Sequence, residues 1–113
     1  MKIKDSMSSG VSHNTLAQGT FIKGDIKAEE DVRIDGKIEG LIDCAGKVVI
    51  GPHAVITGDV RCANMDLIGT IVGTIAVQET FSMRNTGVFT GELTAGSLEI
   101  EPGAIFNGTC KMQ

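Results

Sequence analysis

Hydrophobic and polar residues alternate in short blocks along most of this chain, and the blocks repeat. The repeat is clearest when the chain is aligned on Gly24, Gly40, Gly58, Gly73, Gly91 and Gly108. Two positions before these glycines stand Ile22, Ile38, Ile56, Ile71, Phe89 and Phe106; two positions after stand Ile26, Ile42, Val60, Ile75, Leu93 and Cys110. Four positions after come Ala28, Cys44, Cys62, Val77, Ala95 and Met112, again all apolar. Most residues between them are polar, with Leu41 and Val72 as exceptions. Alternation with period two predicts a β-strand with one buried face. The glycine spacings of 16, 18, 15, 18 and 17 set a period of about 17 residues, in the range of solenoid repeats.

A second apolar pair recurs within each period: Val32/Ile34, Val48/Ile50, Met65/Leu67, Phe81/Met83 and Leu98/Ile100. Between it and the next strand lies a corner whose small column reads Thr20, Gly36, Ala54, Gly69, Gly87 and Ala104. Small residues permit a sharp bend and close backbone approach. The corner is short at 34–38 and 67–71 and longer at 50–56, 83–89 and 100–106, which absorbs the uneven spacing. No Asn-Gly or Asp-Gly recurs in hairpin position, and no helical period appears. The chain is therefore expected to be all-β, a single-domain parallel β-helix of about six rungs. The domain is expected over residues 20–113, behind a flexible tail over 1–19 rich in Ser, Asn, Gln and Gly. An antiparallel sandwich is the alternative, but it has no need of columns in phase at one period.

Composition narrows the functions. Gly makes up 15 of 113 residues without a Gly-X-Y period, which excludes collagen. The net charge of −4 argues against a nucleic-acid partner, which calls for a basic face. No apolar run is long enough to span a bilayer and no secretory signal is visible, so a soluble cytoplasmic location is expected. Three Cys without a Cys-x-x-Cys imply neither a disulfide framework nor a zinc site. Cys44 and Cys62 share an inward column on successive rungs and are expected as small buried thiols.

A β-helix has no lateral edge but two axial ones, each a template for another strand. The final rung carries Leu98, Ile100, Phe106, Cys110 and Met112 and is expected to be uncapped, and the first carries Phe21, Ile22 and Ile26. These eight residues are the expected polymerisation interface: bare apolar cross-sections mark association sites, and end-to-end stacking would continue the sheets from one copy to the next.

Several phrases resemble the bactofilin family: Ala17-Gln18-Gly19-Thr20 before Ile22-Lys23-Gly24-Asp25-Ile26, Val32-Arg33-Ile34-Asp35-Gly36-Lys37-Ile38-Glu39-Gly40, and Leu98-Glu99-Ile100-Glu101-Pro102-Gly103-Ala104 with Phe106-Asn107-Gly108. The resemblance implies a right-handed β-helix that polymerises without nucleotide into a bacterial cytoskeletal filament. It implies a scaffold for cell shape or envelope proteins, with cell-wall enzymes among the partners. Family members often carry an N-terminal membrane-binding segment, which here would be Met1, Lys2, Ile3 and Lys4, addressed to the inner face of the cytoplasmic membrane. No cofactor, metal or small-molecule substrate is implied, and no catalytic residue.

Two other classes compete. Ile50-Gly51-Pro52-His53-Ala54-Val55-Ile56 resembles one turn of a hexapeptide-repeat acyltransferase, in which His53 would be a general base; the hexad does not continue. A monomeric β-solenoid binding module is the third reading. His13, the acidic run Glu29-Glu30-Asp31 and the core methionines Met65 and Met83 offer no further chemistry.

Overall fold

The computed structural model describes residues 13–16 and 19–112, with side chains from Gly19 onward. The alternating blocks form strands β1 (His13–Leu16), β2 (Phe21–Ala28), β3 (Asp31–Ile34), β4 (Lys37–Cys44), β5 (Lys47–Ile50), β6 (Val55–Cys62), β7 (Asn64–Leu67), β8 (Thr70–Met83), β9 (Val88–Ile100) and β10 (Ile105–Met112). In β8 and β9 the eight-residue and four-residue parts of one coil run together.

Every pairing among the described residues is parallel. The eight-residue strands stack as β2, β4, β6, 70–77, 88–95 and β10. The four-residue strands stack as β1, β3, β5, β7, 80–83 and 97–100. The result is a parallel β-solenoid of five complete coils with half a coil added at each end, β1 below and β10 above. The expected count was about six. The antiparallel sandwich is excluded by the strand direction. β1 lies within the stretch expected as a tail, where its backbone extends the short-strand column by pairing with β3.

Strand lengths are constant, so the uneven period resides in the corners. The long corners close as four-residue turns, with Ala54 N–H donating to Gly51 O, Gly87 N–H to Arg84 O and Ala104 N–H to Glu101 O. Pro52 and Pro102 occupy the second position of their turns, where a fixed φ near −65° is already suitable. Gly103, at φ +100°, supplies the positive φ of a type II turn. The small-residue column has a second use. Carbonyls of Thr20, Gly36, Ala54, Gly69 and Gly87 each accept a bond from the first amide of the next coil, at 2.7–3.2 Å.

The alignment glycines are themselves corners. Gly24, Gly40, Gly58, Gly73, Gly91 and Gly108 sit in mid-strand at φ between 129° and 142°, a region open almost only to glycine. A Cβ on any of the last five would run into the carbonyl oxygen of the glycine one coil earlier. The chain turns at each of them, dividing each coil into three faces. On the first coil these are 21–23, 25–28 and 31–34.

The core is one continuous set of inward columns. Ile34, Ile50, Leu67 and Met83 form one, and Ile26, Ile42, Val60, Ile75 and Leu93 another, all essentially inaccessible to solvent. The aromatics gather toward the C-terminal end. Phe81 meets Phe89 edge-on at 6.3 Å, and Phe89 meets Phe106 at 5.2 Å, separations at which ring pairs add to area burial.

Candidate assembly surfaces

The two ends of the solenoid differ. At the C-terminal end β10 pairs with β9 alone, and among the described residues nothing stacks on its outer edge. Strand segment 97–100 is likewise paired on one side. Positions that are inward and buried lower in the stack here reach solvent. Ile100 is 45% exposed and Met112 55%, Leu98 and Phe106 are half-buried, and Cys110 is exposed beside Met112, with Sγ and Sδ 3.8 Å apart. Five of the eight expected interface residues therefore form one apolar patch around the open edge.

At the N-terminal end β2 likewise pairs with one strand, β4, among the described residues, but the side chains are more buried. β3 is paired on both edges, to β5 and to β1. Ile22 and Ile26 are 4% and 1% exposed, and Ala28, Val32 and Ile34 are buried with them. Phe21 faces outward from the side of the coil, 54% exposed. The structure thus does not bring Phe21, Ile22 and Ile26 together on an open cross-section. Met1, Lys2, Ile3 and Lys4 lie outside the described residues.

The lateral faces carry the charge. On the third face Asp66 is gripped between Lys47 Nζ at 3.0 Å and Arg84 at 3.5 Å, and Arg84 reaches on to Glu101 at 3.3 Å. The Glu101 carboxylate also accepts the Asn85 amide at 3.0 Å. Asp66, then Glu101, hold the Arg84 guanidinium above its ordinary pKa. On the second face Arg61 lies 3.8 Å from Asp43. These pairs are solvent-exposed and contribute little individually, but they tie four successive coils along the axis.

The chemistry that remains is inert. Cys44 and Cys62 are buried free thiols, and Cys44 Sγ lies 3.2 Å from Glu30 O. Burial pushes the Cys44 thiol up, and burial with the neighbouring Cys44 pushes Cys62 up to about 12. Both shifts disfavour the thiolate that reactivity requires. His53 occupies an exposed turn on the rim of an open lateral groove shared with Phe21, Asp35, Lys37 and Glu39. Among the described residues no cluster of His, Cys, Asp and Glu has metal-site geometry, and no helix is long and apolar enough to cross a membrane.

Comparison with known proteins agrees with this architecture. The family model "Bactofilin: Polymer-forming cytoskeletal" matches residues 14–111. Two curated relatives come from Myxococcus xanthus. Bactofilin BacP is 27% identical over 95% of this chain, and bactofilin BacO 22% identical over 90% of it. The chain spans 45% of the length of BacP and 81% of BacO. A bactofilin from Thermus thermophilus, solved by cryo-EM as double helical filaments, superposes with a TM-score of 0.85. Its identity is 30%, covering 88% of this chain and 99% of the solved one.

Proposed function

This chain belongs to the bactofilin family, a family of polymer-forming cytoskeletal proteins, and from that premise we propose that it polymerises end to end, without nucleotide, the open edge at its C-terminal end making one contact and the unpaired edge of β2 at its N-terminal end belonging to the other. The observation that carries the reading is the contrast between the two ends: Ile100 and Met112 are half-exposed in columns whose other members are buried. The filament, paired into double strands as in the Thermus relative, is a scaffold on which envelope proteins are organised at the inner membrane face. Met1, Lys2, Ile3 and Lys4 supply the membrane contact of a single subunit, weak alone and multiplied along the polymer. Family membership sets the chain among structural polymers rather than hexapeptide-repeat acyltransferases, and a monomeric binding module has no use for a bare edge.

The energetics suit a reversible polymer. Covering the exposed halves of Leu98, Ile100, Phe106 and Met112 is worth about 3–5 kcal/mol at about 1.5–3 kcal/mol per fully buried side chain. Strand pairing along β10 adds about 0.5–1.5 kcal/mol per backbone hydrogen bond. The entropy of association opposes these gains with about 4–15 kcal/mol, a quantity of the same order, as a reversible polymer requires.

High-speed sedimentation and negative-stain microscopy without nucleotide test the proposal. The wild-type chain pellets as filaments, and Phe106→Arg stays in the supernatant with an unchanged β-sheet circular dichroism spectrum. Filaments formed equally well by Phe106→Arg and Ile100→Lys would overturn the assignment of this end.

A further inference from the structure

The first face of the solenoid, made by 21–23 and its equivalents in each coil, changes character halfway along. Its outward positions on the first two coils are Phe21, Lys23, Lys37 and Glu39, with Lys23 and Glu39 4.0 Å apart. From the third coil onward they are Val55 and Thr57, Thr70 and Val72, Val88 and Thr90, then Ile105 and Asn107. None of these eight carries a charge. On the other two faces about half of the outward positions are charged, among them Asp25, Lys27, Asp59, Arg61, Arg33 and Glu99. The register sets Val55 beside Thr70, Thr70 beside Val88 and Val88 beside Ile105, with Thr57, Val72, Thr90 and Asn107 in the parallel row. Two unbroken lines of β-branched and small polar side chains therefore run up one flat side.

Exposure singles out the same face. Five large hydrophobic side chains are exposed among the described residues. Ile100 and Met112 belong to the open end. The other three, Phe21, Val72 at 43% and Ile105 at 50%, all stand on the outer side of the first face. A polar, charged outer surface is the ordinary way to keep a sheet face in solution, and apolar patches on otherwise charged proteins mark contacts.

We propose that this uncharged strip, Val55, Thr57, Val72, Val88, Thr90 and Ile105 at its centre, is the lateral seam between two filaments of this chain. The inference rests on the polymer reading above and names the surface that pairing would use. A second copy fits better than a lipid surface, because none of the strip's own side chains is a cation for anionic headgroups, and Lys37 stands only at its lower margin, beside Val55. The strip measures about 20 Å along the axis by about 10 Å across at ordinary strand spacing and rise. Two such strips bury about 400 Å², well below the roughly 1,200 Å² of a stable specific interface. Subunits therefore do not pair sideways alone. They pair once the end contacts have aligned many strips in series, when the contacts act together. The seam also reaches the open end through Ile105, so end contact and side contact adjoin.

Val72→Lys and Val88→Lys each place a charge in the strip, and Glu92→Lys on the second face is the control. The expected result is that all three pellet like wild type while the two strip variants form single filaments, half the wild-type width in negative stain, and the control forms paired ones. Because the seam is uncharged, the wild-type width stays constant between 50 mM and 500 mM salt, whereas pairing through the ladder faces would dissolve as screening shortens to a few ångströms. Paired filaments of full width in both strip variants would overturn the seam while leaving the end contact intact. Wild-type filaments that stay single but bind phosphatidylcholine vesicles, with binding lost in Val72→Lys, would reassign the strip to lipid. Failure of wild type to pellet would count against the polymer reading itself.

Discussion

Substituting alanine for Gly58 tests the construction of the solenoid at its tightest point. Gly58 holds φ at +134°, and a Cβ there is driven into the carbonyl oxygen of Gly40. The disfavoured backbone region costs about 1–3 kcal/mol for a residue with a side chain. Relieving the clash requires two coils to separate locally, comparable to overpacking a core at about 1–3 kcal/mol. Gly58→Ala should thus lose about 2–6 kcal/mol, a large part of the about 5–15 kcal/mol available to a domain of this size. Gly19→Ala is the matched comparison: φ is +92° and nothing lies within 4 Å of the added carbon, so only the conformational part applies. Gly108→Ala would meet Gly91 O in the same way, but β10 is paired on one side and can lift away, so its effect falls on assembly more than on stability. Urea unfolding followed by circular dichroism, on a Phe106→Arg background that keeps the protein dispersed, measures all three. A Gly58→Ala midpoint no lower than that of Gly19→Ala would refute the account of the glycine column.

Phe81 is fully buried against Phe89, and Phe81→Ala should destabilise the fold by about 3–5 kcal/mol in the same unfolding assay. Burial raises the Cys62 thiol from 9.0 to about 12, so the unfolded chain ionises first. Its share of stability is intact below pH 9 and is lost as pH rises toward 12, with a slope of about 1.4 kcal/mol per pH unit. Cys62→Val, which matches Val77 in the same column, should flatten that part of the alkaline unfolding curve, and an unchanged slope would contradict it. Cys110 is the exposed thiol; where two C-terminal ends meet, mild oxidation should yield dimers on non-reducing gels that vanish in Cys110→Ser. Asp66→Asn removes the carboxylate shared by Lys47 and Arg84, and any loss of thermal midpoint should disappear in 1 M salt.

Repetition made much of this protein legible before its structure. Ile38, Ile56 and Ile71 recur in phase because each sits on its counterpart one coil below, and the variable corners at 50–56 and 83–89 are where the coil lengths differ. The Phe106 end also stood out, since the last members of every column are apolar. Ile22 and Ile26 stand in the first rung, where the pattern suggests a bare end, yet they are 4% and 1% exposed. The apolar Val72 was visible as a break in the alternation, but nothing in a linear pattern marks it as part of a strip.

What the sequence by itself determined is therefore radial: which side chains point in, which point out, how many residues each coil holds, and to which family the pattern is akin. Period two and a recurring glycine suffice for that, because stacking forces like residues to the same place in each turn. The axial and circumferential facts were decided only in three dimensions. The glycine column is obligatory because of a carbonyl one coil, 15–18 residues, away. The third face is laced by charges equally remote in sequence, the first face is bare of them from its third coil onward, and the side chains of one end are buried while those of the other reach solvent. Each depends on contacts between coils, and a chain read one residue at a time carries no record of which neighbours its coils will bring together.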